Sequence, residues 1–132
     1  MPAASLVSRS CETAFASLVR LHVDALLVGT DAFFLSQRDR LVALATRDAI
    51  PAVYERREFA TAGGLISYGA SLAAGYRQHG VYVGKVLKGA KPADLPVHQA
   101  TKIELAINLK TAQALGLTIP QSILGRADEI FE

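Results

Sequence analysis

The chain has 132 residues, of which 51% are hydrophobic and 20% charged, and its 14 basic and 12 acidic residues leave a net charge of +2. This length suits one domain with an ordinary core, and the charges are mixed along the chain, which argues against a nucleic-acid-binding surface and an acidic disordered tail. No apolar run approaches the ~18 residues that a membrane span needs.

The single cysteine and the N-terminal segment say little about the cellular compartment. Cys11 excludes an intrachain disulfide, and its place in an apolar helical pattern predicts a buried thiol rather than a nucleophile. Residues 1–9 lack the basic start and the apolar centre of a signal peptide. Since a mature exported protein would need one, we expect this chain to be a fragment of a longer protein or a truncated gene product.

The first half of the chain alternates helix and strand patterns, as α/β proteins do. An amphipathic helix is predicted from Ser10, which can cap it, to about His22. A second helix is predicted from the capping-box pair Ser36 and Asp39 to about Asp48. The apolar stripes of these helices consist of Cys11, Phe15, Leu18 and His22, and of Leu41, Leu44 and Ala45. Buried strands are predicted at residues 24–28, 50–54 and 65–68.

A long amphipathic helix is predicted at residues 71–88, ending before Gly89. His79 falls on its apolar side, where a core or interface histidine with one hydrogen-bonded nitrogen is the ordinary interpretation. Residues 90–96 contain two prolines and predict an exposed connector. The apolar face consists of Leu72, Tyr76, Val83, Val86 and Leu87, and the polar face of Arg77, Gln78, Lys85 and Lys88.

The last part of the chain returns to strand and helix patterns. Residues 101–108 alternate polar and apolar side chains, as an edge strand with one wet face does. A short helix is predicted at residues 110–115, and a final helix begins at Pro120 and carries Ile123, Leu124, Ala127 and Ile130 near one face. Together the elements predict an α/β protein with a Rossmann-like parallel sheet, flanked by helices and joined by right-handed crossovers.

Several spaced motifs resemble one known family. They read Gly-Gly-Leu-Ile-Ser-Tyr-Gly at 63–69, Gly-Tyr-Arg-Gln at 75–78, Tyr-Val-Gly-Lys-Val-Leu-Lys-Gly at 82–89, Lys-Pro-Ala-Asp-Leu-Pro at 91–96 and Ile-Asn-Leu-Lys-Thr-Ala-Gln-Ala-Leu-Gly-Leu-Thr-Ile-Pro at 107–120. In this order they resemble the C-terminal part of the periplasmic substrate-binding proteins of ABC importers. The most similar branch of this type I periplasmic-binding-protein fold includes binders of aromatic amino acids. The resemblance extends back through residues 24–54 and covers most of the chain.

The resemblance implies two lobes with a ligand held between them. Residues 1–69 would form the α/β unit of the second lobe, and residues 70–132 the crossover helix, connector, edge strand and C-terminal helices. The initial strands and helices of the first lobe have no counterpart in this chain. The full-length protein would work in the periplasm beside an ABC permease and would bind a small molecule without converting it.

Binding residues are expected in the loops beyond the carboxyl ends of the strands, where α/β sheets hold ligands. A carboxylate such as Asp31 can take an ammonium group, while hydroxyls orient the ligand and aromatic rings stack on its apolar part. The resemblance implies that Asp31 is a ligand contact, although a turn or helix-cap role is a common use of aspartate. The candidate ligand-binding residues are Thr30, Asp31, Phe33, Tyr54, Ser67 and Tyr68.

Signals for catalysis, metals and cofactors are weak. The chain has no phosphate-binding loop or nucleophile elbow, and its three histidines lack metal-ligand spacing. The charged residues 55–58 could hold acid–base chemistry, but alternating charge on a short surface helix is the commoner explanation. We therefore expect no enzyme activity, no catalytic residue, no metal, no cofactor and no nucleic-acid partner.

The favoured function is that of the solute-binding component of an ABC importer, here a C-terminal fragment, with a small polar or amino-acid-like ligand. The alternative is a free-standing α/β interaction or dimerisation domain with no small-molecule role.

The apolar face of the helix at residues 71–88, if its native partner is the absent lobe, would be a patch that monomers avoid. We expect a homodimer through this helix, either face to face or with the segments after Gly69 exchanged, and a monomer if the helix folds back on its own sheet.

Overall fold

A computed structural model describes the backbone of residues 3–132 and the side chains of residues 10–132. The prediction about signal-peptide features concerns residues 1–9, whose side chains lie outside the described residues. In chain order the elements are α1 (Ala3–Arg20), β1 (Leu26–Val28), α2 (Ala32–Ser36), α3 (Arg38–Arg47), β2 (Ala52–Tyr54), α4 (Arg57–Thr61), β3 (Ile66–Ala70), α5 (Leu72–Leu87), a 3-10 turn (Pro92–Asp94), β4 (Ile103–Asn108), α6 (Leu109–Ala114), α7 (Gln121–Leu124) and β5 (Glu129–Phe131).

The strands form one sheet in the order β1-β2-β3-β4-β5. The first three strands are parallel, as predicted, with Leu27 opposite Val53 and Val53 opposite Ile66. Strand β4 runs antiparallel to β3, and β5 runs parallel to β4. The α/β class is thus confirmed, with a sheet that is mixed rather than wholly parallel.

The core lies between this sheet and the helices that connect its parallel strands. Helix α1 packs on α3, and α3 on α4, so these three helices share one face of the sheet. Arg40 of α3 also pairs with Glu12 of α1 at 2.5 Å. The predicted apolar stripes of the first two helices are confirmed for all members except His22, with Leu18 only partly buried. The buried cluster consists of Cys11, Phe15, Val28, Leu41, Val42, Leu44, Ala45, Ile50, Ala52, Tyr54 and Phe59.

The predicted boundaries of both helices in the first half need correction. Helix α1 begins at Ala3, so Ser10 lies inside the helix rather than at its N-cap. His22 does not belong to the first helix, since it follows the end of α1 with a φ of +52° and an exposed side chain. The capping box of Ser36 and Asp39 is also wrong. Asp31 instead caps the earlier helix α2, and Ser36 ends α2 with its hydroxyl donating to the Phe33 carbonyl at 2.7 Å.

The predicted edge strand and final helix also differ from the structure. Strand β4 lies inside the sheet because β5 pairs along its other side. Helix α7 ends at Leu124, and Ile130 lies in β5 rather than in a helix. Asp128 starts this pairing, since its N–H donates to the Leu105 carbonyl at 2.8 Å and its carboxylate accepts from the Leu105 N–H at 2.9 Å.

Helix α5 stands largely free of the rest of the described chain. Ser71 caps its first turn, and no residue within it is buried. His79 is exposed and makes an edge contact with the Tyr76 ring at 6.3 Å, so the core interpretation of this histidine is wrong for this chain. The hydroxyl of Tyr82 donates to the Pro96 carbonyl and ties the helix to the connector.

The predicted boundary after Gly69 falls inside β3, which pairs with strands on both sides. One sheet therefore spans both predicted units, and the division into second-lobe unit and crossover segment stays a prediction. No helix in the described range 3–132 is long and apolar enough to cross a membrane.

Candidate functional site

A cleft of about 230 Å³ opens where β1 and β2 end and α5 begins. This is the edge of the sheet at which α/β proteins place their ligands. The cleft is lined by Gly29, Thr30, Asp31, Ala32, Leu35, Glu55, Arg56, Phe59, Leu72 and Tyr76. It therefore combines two carboxylates, one guanidinium and several apolar side chains.

The loop after β1 supplies Thr30 and Asp31, both of which are exposed. One carboxylate oxygen of Asp31, Oδ1, accepts a hydrogen bond from the Phe33 N–H at 2.7 Å and so caps α2. The cap fixes the side chain at the rim of the cleft. The second oxygen of the same carboxylate can then face a ligand, so the cap role and the ligand role are compatible.

The loop after β2 supplies Glu55 and Arg56, both half-buried. Nη1 of Arg56 donates to the Ala70 carbonyl at 3.1 Å, which anchors the guanidinium to the end of β3. The remaining guanidinium N–H groups can bind an anion. Because the side chain is anchored at one end, less conformational freedom would be lost when it does so.

Apolar walls complete the cleft. Phe59 is buried and stacks on the Tyr54 ring with centroids 4.5 Å apart, so it forms a fixed floor. Leu72 and Tyr76 come from the first turns of α5, and Tyr76 is exposed and free to lie on a planar ligand group. The arrangement suits a molecule with both charged groups and an apolar part.

The structure brings two of the six predicted binding residues, Thr30 and Asp31, into this cleft. Phe33 faces a different groove, beside α1 and β1. Tyr54 and Ser67 are each 1% exposed and belong to the interior of the sheet. Tyr68 is exposed, but it lies beside Leu105, Ile123 and Asp128. We leave these four residues out of the proposed site.

The predicted set of binding residues leaves out Glu55, Arg56, Leu72 and Tyr76, which line the cleft. A signal for the first two was present, since the rule that ligands bind beyond the carboxyl ends of strands points to the residues after Tyr54. Tyr54 is the last residue of β2, and its side chain turns into the core. For the α5 residues no local signal existed, because their place depends on how the helix crosses the cleft.

The charged and apolar groups that line the cleft are suited to holding a ligand. None of the described residues that line it is a histidine, cysteine or serine, the usual bases and nucleophiles of acyl transfer. Among the side chains at positions 10–132, no group of three or more histidine, cysteine, aspartate or glutamate residues could hold a metal ion. The groups present can pair with opposite charges and cover apolar surface.

Residues 3–131 match the family described as ABC transporter substrate binding protein. The chain belongs to this family. No curated protein matches it.

The fold is shared by solved structures that include the following three. A conserved domain protein from Vibrio cholerae is 25% identical with a TM-score of 0.83, and the match covers 93% of this chain and 41% of that one. An ABC domain from Streptococcus pneumoniae in complex with L-Trp is 29% identical with a TM-score of 0.80, over 99% of this chain and 44% of that one. The ligand-free, open structure of a substrate binding protein with adhesive properties from Clostridium difficile is 23% identical, with a TM-score of 0.63, over 94% of this chain and 41% of that one. This chain thus spans less than half of the solved chains it matches.

Proposed function

We propose that the chain is part of the solute-binding component of an ABC importer and that its cleft holds an amino-acid-like ligand without converting it. The observation that carries this proposal is the pair of opposite charges at one cleft, Asp31 after β1 and Arg56 at the start of α4. Membership of the substrate-binding family supports a binding role, and the Streptococcus pneumoniae neighbour in complex with L-Trp supports this ligand class.

The proposed pose follows from the charges. The carboxylate of Asp31 pairs with the ammonium group of the ligand, and the guanidinium of Arg56 pairs with its carboxylate. Tyr76 and Leu72 cover the apolar part, while Thr30 can donate from its hydroxyl. Glu55 adds a second negative charge, which favours ligands that keep a free ammonium group over purely anionic ones.

The partners and the location follow from the family rather than from the cleft. We propose that the full-length protein delivers its ligand to an ABC permease from the periplasmic or extracellular side. No cofactor, catalytic step or nucleic-acid partner belongs to this function.

Thermal unfolding of the 132-residue chain with and without L-Trp tests the proposal. A ligand that binds only the folded state stabilises it by RT ln(1 + [L]/Kd), which is about 2.7 kcal/mol at a concentration a hundred times Kd. We expect a saturable rise in Tm with L-Trp or with another free amino acid. A Tm unchanged by all the free amino acids, with tryptamine and indole-3-propionate included as single-charge analogues, contradicts the proposal.

The exposed face of α5 favours a second candidate function, a dimerisation domain. Of the predicted stripe, Tyr76, Val83, Val86 and Leu87 are exposed, and Leu72 is half-buried at the cleft. We propose that two chains associate through α5, which would cover this stripe. Tyr76 belongs to both this stripe and the cleft, so a dimer that covers Tyr76 would compete with the ligand. The two functions can therefore be told apart by measuring the solution mass with and without L-Trp.

A further inference from the structure

A bidentate ion pair joins the first residue of α4 to the first residue of β5. Nε and Nη2 of Arg57 donate to the two carboxylate oxygens of Glu129 at 2.5 and 2.7 Å, across 72 positions of sequence. The two side chains are 48% and 35% exposed, and exposed pairs usually add little to stability. Two parallel hydrogen bonds, however, fix the relative geometry of their partners. The pair is therefore suited to holding a position rather than to stabilising the whole fold.

The register of the sheet explains why Glu129 reaches α4. The successive partners across β2, β3, β4 and β5 are Tyr54, Ser67, Ala106 and Glu129. Paired residues of neighbouring strands point to the same face, and Tyr54 points to the face where Phe59 of α4 packs. Glu129 thus points toward α4, at the level of the last residue of β2. Its carboxylate lies at the end of the sheet where the cleft opens.

The neighbouring Arg56 bonds to a different strand. It precedes α4 with an extended backbone, and its Nη1 donates to the Ala70 carbonyl at the end of β3. Among the described residues, no side chain caps the first turn of α4. The two consecutive arginines therefore hold the start of this short helix from two sides, Arg56 at β3 and Arg57 at β5.

We propose that Arg57 and Glu129 are positioning residues that hold Arg56 at the ligand cleft. The inference rests on the proposed function, in which Arg56 binds the carboxylate of the ligand. Without the pair, the start of α4 is held on one side only, and the Arg56 side chain must be ordered when the ligand binds. The cost of this ordering falls on ligands that carry a carboxylate. Among the described residues that line the cleft, none comes from β5, so Glu129 acts through Arg56 alone.

Calorimetric titration with L-Trp and tryptamine tests the inference on Arg57→Ala, Glu129→Ala and the double variant. We expect each single variant to raise the Kd of L-Trp by about three- to tenfold and that of tryptamine, which lacks the carboxylate, by less than about twofold. The double variant should weaken L-Trp binding no further than the stronger single variant, since both substitutions break one interaction.

Glu12→Ala is the matched control. It breaks another partly exposed pair, the one with Arg40 at 2.5 Å, and neither of these residues lines the cleft. Both Kd values should stay as in the parent chain. If one of the two single variants does not fold, the other decides the test. Arg57→Ala is the milder of the two, because Arg57 is exposed and alanine favours helices.

NMR relaxation of the Arg56 Nε–H group gives a second readout that needs no ligand. In Arg57→Ala and in Glu129→Ala we expect this group to move more freely on the picosecond-to-nanosecond timescale than in the parent chain. In Glu12→Ala its mobility should not change.

Three results would overturn the inference. The first is an equal loss of affinity for L-Trp and tryptamine, which would give the pair a general structural role. The second is no loss of affinity for L-Trp in either single variant, or losses that add in the double variant. The third is unchanged mobility of the Arg56 Nε–H group. A parent chain that binds no free amino acid refutes the proposed function, and the mobility of this group then decides whether the pair holds Arg56.

Discussion

Gly69 lies directly against the main chain of Glu55. A Cβ atom on residue 69 would stand 2.0 Å from the Glu55 carbonyl oxygen and 2.8 Å from its Cγ. The absence of a side chain at position 69 thus lets the loop after β2 close onto β3. This contact holds Glu55 at the cleft and, next to it, Arg56, whose guanidinium is anchored to Ala70.

Gly69→Ala should therefore disturb both the fold and the site. Since the methyl group would meet backbone atoms, the loop must shift, and we expect the free energy of unfolding to fall by about 1–3 kcal/mol. L-Trp binding should weaken as well. Urea unfolding and calorimetric titration measure the two effects. Gly80→Ala in α5 is the control, because a Cβ there meets nothing within 4 Å and should stabilise the helix by up to ~1 kcal/mol. Equal effects of the two substitutions would contradict this role of Gly69.

Ser67→Ala should leave ligand binding unchanged and should not destabilise the fold. Ser67 is 1% exposed, and its hydroxyl has no hydrogen-bond partner among the described residues. Removing an unpaired buried hydroxyl is neutral or stabilises by up to about 1 kcal/mol. Thr111→Val is the contrasting control, since the Thr111 hydroxyl donates to the Gly63 carbonyl at 2.6 Å and its loss should cost about 1 kcal/mol. Weaker L-Trp binding by Ser67→Ala would restore Ser67 to the site.

Tyr54 should make the fold sensitive to alkaline pH. Burial raises the pKa of its hydroxyl from 10.0 to about 12. The unfolded chain therefore releases this proton first, so the contribution of Tyr54 to stability is complete below pH 10 and is lost as pH rises toward 12. Denaturant unfolding across this range should show the decline, and Tyr54→Phe should reduce it. An identical decline in the variant would place its cause elsewhere.

Val83→Asp should dissociate a dimer that forms through α5. Val83 is exposed on the stripe that the proposed interface covers, and a buried charge there would lack a partner. Light scattering at micromolar concentration measures the mass. Arg77→Asp, on the polar face of the same helix, should leave the mass unchanged. A monomeric parent chain would remove the dimer proposal altogether.

The elements that the sequence predicted best are those whose signal is local. The apolar runs of β1, β2 and β3 and the start of α5 near Ser71 depend on neighbouring residues only. Strand β5 could not be found in this way, because Ile130 has helical spacing from Ile123. The pairing of this strand begins with a contact between residues far apart in the sequence, the two hydrogen bonds between Asp128 and Leu105.

The candidate site likewise contains residues with a local sequence signal and residues without one. Asp31 was predictable because it lies in the short loop that follows β1. Tyr54 was misplaced by one position, since β2 keeps its last side chain in the core and the first side chain at the cleft is that of Glu55. Tyr76 enters the cleft only through the path of α5 across the sheet, which no local pattern encodes.

The central claim is that Asp31 and Arg56 bind opposite ends of one ligand, and calorimetric titration of three compounds tests it most directly. L-Trp has both charges, tryptamine lacks the carboxylate and indole-3-propionate lacks the ammonium group. Asp31→Asn keeps the helix cap and removes the charge, while Arg56→Gln removes the guanidinium.

The parent chain should prefer L-Trp over both analogues by about 10- to 100-fold, as hydrogen bonds to charged groups are worth roughly 1.5–3 kcal/mol. Arg56→Gln should lose the preference over tryptamine and keep that over indole-3-propionate, and Asp31→Asn should do the reverse. Binding that falls equally for all three compounds in both variants would contradict the claim, as would a parent chain that binds none of the free amino acids.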